Sequence, residues 1–157
     1  MMDRLGPIQA PTGEAEQRLD GRVLVADDNE ANRKICGMFC DLLGLSCEYA
    51  SDGAEALELV RRGTFDLVLM DIHMPGMDGL EAAIAIRRLA APICDTPIVA
   101  VTTAAESADI ARYRACGVSD VVSKPIVASR LIGAITTALV SAPAEPRSWR
   151  PLAGGGG

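Results

Sequence analysis

With 157 residues, 49% of them apolar, the chain is long enough for one domain with a substantial core. Its formal net charge of −6 argues against nucleic acid or an anionic membrane as main partner, since both reward clustered Lys and Arg. Charge, Gly or Pro interrupts every apolar stretch before it reaches the length of a membrane span, and residues 1–21 lack the apolar core of a signal peptide, so a cytoplasmic protein is expected.

The predicted elements begin after a Pro- and Gly-containing leader, residues 1–21. A first strand over 22–27 precedes a helix over 30–43, in which Ile35, Met38, Phe39, Leu42 and Leu43 recur at helical spacing before Gly44 stops it as a left-handed cap. A weaker strand over 46–50 leads to Asp52 and Glu55, spaced as in a capping box. The helix they open closes at Arg61-Arg62-Gly63, with basic residues against the dipole. A strand over 65–71 follows, and Asp78 with Glu81 repeats the capping spacing for a helix to about residue 90.

Pro92 and Pro97 bracket a loop into a strand over 97–102, and Thr103-Ala104-Ala105-Glu106 offers a cap for a helix to Cys116, closed by Gly117. The last strand, 118–123, runs into Lys124-Pro125. The final helix, about 128–140, is expected to bury Ala128, Leu131, Ile132, Ile135 and Leu139, with Val127 a poor N-cap. The tail, residues 141–157, reads as disordered; its Arg147, Trp149 and Arg150 are weighed as a docking motif and set aside as a tail with one stray aromatic. Five cysteines, Cys36, Cys40, Cys47, Cys94 and Cys116, lack a CxxC pair and read as reduced, mostly buried thiols rather than metal ligands.

Five short strands, apolar on both faces and alternating with five helices, call for an α/β fold: a doubly wound parallel sheet, flavodoxin-like, in the order 2-1-3-4-5. An eight-fold barrel needs about 250 residues and does not fit. In that order the first and third strands meet at the switch point, so Asp27, Asp28 and Asp71 share a pocket at the carboxyl edge. Thr102 and Lys124 end strands at the same edge. Three carboxylates in one pocket repel each other, and Mg²⁺ is the expected relief, because it binds a few carboxylates and still admits a phosphoryl oxygen. Asp71 is then a nucleophile, with Lys124 and Thr102 holding developing charge on the phosphoryl group. Taken singly, each residue has a plain alternative: Asp27 and Asp28 as helix caps, Asp71 as a loop acid, Thr102 as strand filling, Lys124 as a residue before proline. Their joint fall on one sheet edge favours the site.

The runs Val23-Leu24-Val25-Ala26-Asp27-Asp28-Asn29, Leu69-Met70-Asp71-Ile72-His73-Met74-Pro75-Gly76-Met77-Asp78-Gly79, Val101-Thr102 and Lys124-Pro125 resemble the receiver domain of two-component response regulators over residues 22–140. The resemblance implies that Asp71 is the phosphoacceptor and that Asp28 and Asp71 bind Mg²⁺ directly, with Asp27 helping and the His73 backbone carbonyl completing the protein ligands. It implies phosphoryl recognition by Thr102 and Lys124, a cis Lys124–Pro125 bond, and a histidine kinase or histidine phosphotransfer protein as donor; the downstream protein stays open. Asp28-Asn29-Glu30-Ala31-Asn32-Arg33-Lys34 is most similar to receivers attached to hybrid kinases. The His73 ring reads as a solvated loop side chain, and Arg112, Tyr113 and Arg114 as a helix face that is either solvated or a partner surface.

Two positions depart from the family pattern. Val121 stands where a Tyr or Phe usually relays the state of Thr102, and Thr103 stands where a smaller Ala is common. The expected function is a phosphorelay receiver acting as a single-domain regulator, a phosphate shuttle or sink, or a module cut from a hybrid kinase. It is not a conventional enzyme: self-directed phosphotransfer and autodephosphorylation are its only expected chemistry. The alternatives are a phosphorylation-independent adaptor and an aspartyl-phosphate phosphohydrolase, the latter lacking the second aspartate that Asp71-Ile72-His73 would have to supply.

Overall fold

A computed structural model describes residues 19–141. Residues 142–157 of the expected tail and all but the end of the expected leader lie outside the described residues, while residue 141, expected to open the tail, belongs to the last helix. Leu19 belongs to the fold: its N–H donates to the Leu43 carbonyl at 2.7 Å, and the Gly21 carbonyl accepts from Ser46 N at 3.0 Å.

The strands are β1 (Arg22–Ala26), β2 (Ser46–Ala50), β3 (Leu67–Asp71), β4 (Ile98–Thr102) and β5 (Asp120–Ser123). The helices are α1 (Glu30–Leu42), α2 (Gly53–Arg62), α3 (Gly79–Arg87), α4 (Ser107–Ala115) and α5 (Ala128–Ser141), with a single 3₁₀ turn at Ile93–Asp95. All strands pair in parallel in the order β2-β1-β3-β4-β5, as the alternation of elements predicts. Strand alternation divides the core in two. Leu24, Ala26, Val68, Met70, Ile98, Ala100 and Val121 face a layer that includes Ala56, Val60, Ala82, Ile86 and Tyr113; Val23, Val25, Leu67, Leu69, Val99, Val101 and Val122 face Cys36, Cys40, Leu131 and Ile135. Helices α2, α3 and α4 thus cover one face and α1 and α5 the other, which is what strands buried on both faces require.

Local chemistry sets the boundaries. Asn29 caps α1 by accepting from Asn32 N, Asp52 caps α2 by accepting from Glu55 N, and Asp78 and Glu81 form a reciprocal capping box on α3. Helices α1 and α4 both end on glycines with positive φ, Gly44 at 89° and Gly117 at 106°, where the following residue reaches back five positions: Leu45 N to Cys40 O and Val118 N to Tyr113 O. Because Val118 spends its N–H on that cap, β5 starts at Asp120 rather than at 118. Helix α3 stops at Arg87, short of the expected residue 90, and the Arg87 guanidinium donates to the carbonyls of Gly117, Cys94 and Thr96 at 2.6–3.0 Å.

The structure corrects three further expectations. Helix α4 begins at Ser107, because the Ala104 N–H donates to Thr102 Oγ1 and holds the segment after β4 out of the helix. In α1 the buried stripe is Cys36, Gly37 and Cys40, while Met38 and Leu42 are 54% and 65% exposed. The Tyr49 hydroxyl packs over Gly37, where any side chain would collide with it, so small residues on this face let helix and strand approach closely. In α5, Ala128 is exposed and Ile132 half-buried, and Ala134 joins Leu131, Ile135 and Leu139 in the core.

Candidate functional site

Strands β1 and β3 are neighbours, with Ala26 in register with Met70, so the residue that follows β1 and the residue that ends β3 lie side by side. Those residues are Asp27 and Asp71, 3% and 5% exposed, and Asp28 beside them is exposed. Oxygens from all three carboxylates lie within 4.8 Å of one another, forming the metal-competent acidic cluster found among the described residues. The helix-cap alternative for Asp27 and Asp28 fails, because Asn29 caps α1. Asp27 instead accepts from Asn29 N at 2.9 Å through Oδ1, leaving Oδ2 for the pocket.

Lys124, at the end of β5, reaches across the sheet edge to this cluster. Its Nζ lies 3.0 Å from Asp27 Oδ2 and 3.4 Å from Asp71 Oδ2. The Lys124 N–H donates to the Thr102 carbonyl at 2.8 Å and anchors the stem of that arm, and the Lys124–Pro125 peptide is cis. On Asp71, Oδ1 accepts from His73 N at 3.2 Å. The His73 ring is exposed and stands outside the acidic cluster. Thr102 is fully buried, with its Oγ1 accepting from Ala104 N at 3.2 Å.

Burial and then the neighbouring charge of Asp27 push the Asp71 carboxyl above its usual range, against the opposing pull of Lys124 and the His73 N–H. Burial works against charge on Lys124, yet its hydrogen bond to Asp27 and the two carboxylates hold its pKa above the ordinary 10.5. The amine is therefore a fixed cation: its contribution to stability is complete below that ordinary value and is lost only as pH rises through the raised one. Lys124, half-buried, pairs with Asp27 and Asp71, so the three clustered carboxylates carry more negative charge than this amine offsets. The donor set is oxygen throughout and clustered, which suits a hard divalent ion such as Mg²⁺.

The floor of the site admits no bulk at Gly79. A Cβ there would collide with the Asp71 carbonyl and come within 2.8 Å of Ile72 Cα, and the Gly79 N–H donates to the Ile72 carbonyl at 2.8 Å. Asp78-Gly79 was legible as a helix start and as part of the family-like run after Asp71, but the close approach of Gly79 to the Asp71 carbonyl was not. Two further contacts come only from the tertiary structure: the Arg33 guanidinium donates to the Asp27 carbonyl at 2.7 Å, and Tyr113 Oη donates to the Ala104 carbonyl at 2.8 Å. Arg33 was legible as one turn beyond the Asn29 cap; Tyr113, expected on a solvated or partner-facing helix surface with Arg112 and Arg114, is instead fully buried, and of the three only the two arginines are exposed.

The family model for the response regulator receiver domain matches residues 23–136. The chain is 37% identical over 116 residues to the signal transduction histidine-protein kinase BarA of Escherichia coli K12, covering 74% of this chain and 12% of that protein. It is 36% identical over 121 residues to the autoinducer 2 sensor kinase/phosphatase LuxQ of Vibrio vulnificus YJ016, covering 75% and 14%. The chain thus spans a small fraction of these curated relatives. Among solved structures, the chemotaxis protein CheY4 of Vibrio cholerae matches with a TM-score of 0.71 and 28% identity over 77% of this chain and all of that one. The receiver domain of a LuxO repressor from Vibrio parahaemolyticus shares the fold, with a TM-score of 0.74 at 22% identity over 83% and 98%. A matched family model over most of the chain, and kinase relatives above 30% identity, place this protein in the response regulator receiver domain family of two-component signalling.

Proposed function

We propose that the protein accepts a phosphoryl group on Asp71 from the phosphohistidine of a histidine kinase or histidine phosphotransfer protein, and that this modification changes its binding to a downstream protein. The observation that carries the reading is Asp71 itself: a buried carboxylate with a raised pKa, flanked by two further carboxylates and one lysine at the switch point of a doubly wound sheet. One Asp71 oxygen attacks phosphorus, the P–N bond to the donor imidazole breaks, and the electron pair leaves with the imidazole nitrogen, which takes up a proton from solvent.

The chain's own residues contribute placement and charge. The His73 N–H holds Oδ1 of Asp71 and so presents Oδ2 to the pocket, on the side of Lys124. Lys124 and Thr102 supply an amine and a hydroxyl for two phosphoryl oxygens. Asp27, Asp28, Asp71 and the His73 carbonyl are the proposed Mg²⁺ ligands, and the ion, when bound, offsets the repulsion between the carboxylates and an incoming phosphoryl group. The receiver module is proposed as residues 22–140, with Leu19 and Gly21 tied to its start through Leu43 and Ser46.

Incubation with a phosphorylated histidine donor and Mg²⁺, followed by mass spectrometry of the intact chain, is expected to show one added phosphoryl group in the wild type and none in Asp71→Asn. Transfer to the Asn variant at the wild-type rate would sink the assignment.

A further inference from the structure

We propose that Tyr113 is the positioning residue that ties the phosphoryl-sensing hydroxyl of Thr102 to helix α4, an inference that rests on Asp71 being the phosphoacceptor. Two hydrogen bonds on one residue carry it. The Ala104 N–H donates to Thr102 Oγ1 at 3.2 Å, and the Ala104 carbonyl accepts from Tyr113 Oη at 2.8 Å. Thr102 and Tyr113 are both fully buried, so each polar group depends on this peptide unit rather than on water. The linkage runs from the sheet edge beside Asp71 to the last turn of α4 through one amide.

The packing of α4 gives that linkage a lever. Helices α2 and α3 each bury four residues against the sheet, whereas the buried residue of α4 is Tyr113, with Ile110 partly buried beside it and the remaining side chains largely exposed. A short helix held mainly by one side chain shifts at low cost when that side chain is displaced. Tyr113 is also the largest fully buried side chain among the described residues, in the same core cluster as Val121 on β5. When Thr102 turns its hydroxyl toward a phosphoryl oxygen on Asp71, the Ala104 N–H loses its acceptor. The residue 103–106 segment is then free to rearrange, and Tyr113 carries that movement into α4.

The test is hydrogen exchange of α4 amides in the full chain, with and without phosphorylation by acetyl phosphate and Mg²⁺, with phosphoryl on Asp71 measured in parallel by mass spectrometry. Tyr113→Phe keeps the ring and removes only the hydroxyl, so a purely structural role would raise basal exchange and leave the phosphorylation-dependent difference intact. We expect wild-type α4 to change its exchange on phosphorylation. In Tyr113→Phe, phosphorylated to the same extent, that difference should shrink about fivefold, the equivalent of one neutral hydrogen bond. An undiminished difference in the variant overturns the proposal, as does a phosphorylated wild type whose α4 exchange does not change; in either case phosphorylation of Asp71 stands. Absence of phosphoryl on Asp71 refutes the underlying function and this inference together.

Discussion

Replacing Asp71 by Asn should make the metal-free protein more stable, which is the opposite of the usual result for a buried, ion-paired residue. The magnitude follows from three separations. Lys124 Nζ stands 3.4 Å from Asp71 Oδ2, an attraction of about 5 kcal/mol at an effective dielectric constant of about 20. Asp27 and Asp28 each place an oxygen within 4.8 Å, and each repels Asp71 by at least about 3.5 kcal/mol on the same scale. Repulsion exceeds attraction by about 2 kcal/mol, and water around the exposed Asp28 screens part of that surplus, so Asp71→Asn is expected to gain about 1–2 kcal/mol. The raised pKa sets the pH dependence: a carboxyl that binds its proton more tightly folded than unfolded costs stability above its folded pKa and nothing below the ordinary 3.8. The gap between variant and wild type should therefore close as pH falls through that window. Urea unfolding followed by circular dichroism in the presence of a chelator measures it. Mg²⁺ at tenfold excess over its Kd should then add about 1.4 kcal/mol to the wild type and much less to the variant. A variant less stable than wild type at neutral pH without metal would refute the charge balance described for the site.

Two further outcomes test its surroundings. Gly79→Ala pushes a methyl group against the Asp71 carbonyl and should cost about 2–3 kcal/mol and slow phosphoryl transfer by displacing the strand end; wild-type stability in that variant would show that the backbone approach relaxes freely. Among the clustered thiols, a hydrogen bond from Cys40 holds Cys47 below its ordinary pKa despite burial, while burial pushes Cys36 up to about 12. Iodoacetamide at neutral pH is therefore expected to modify Cys47 well before Cys36 in peptide mapping, and the reverse order would overturn that reading.

The strand order and the meeting of Asp27, Asp28, Asp71 and Lys124 were legible in the sequence because both depend on short-range rules. Apolar runs of five residues bounded by capping signals define the alternation, parallel strands with right-handed crossovers lead to a doubly wound sheet, and its flavodoxin-like order sets the ends of β1 and β3 together. The orientation of α1 was not legible. Met38 and Leu42 fit an apolar stripe as well as Cys36 and Cys40 do, and the face that packs carries Cys36, Gly37 and Cys40, with the Tyr49 hydroxyl over Gly37, a contact between residues twelve apart that no periodicity encodes.

What the sequence alone determined is the fold, the sheet edge and the family to which its motifs belong, since each is written in local patterning and turn chemistry. Only the tertiary structure decided which oxygen of Asp27 faces Lys124, that Gly79 must stay bare beneath Asp71, and that Tyr113 reaches Ala104. Those are distances of a few ångströms between residues remote in the chain or on separate elements, and they are set by how packed layers come to rest on one another rather than by any residue's own preference.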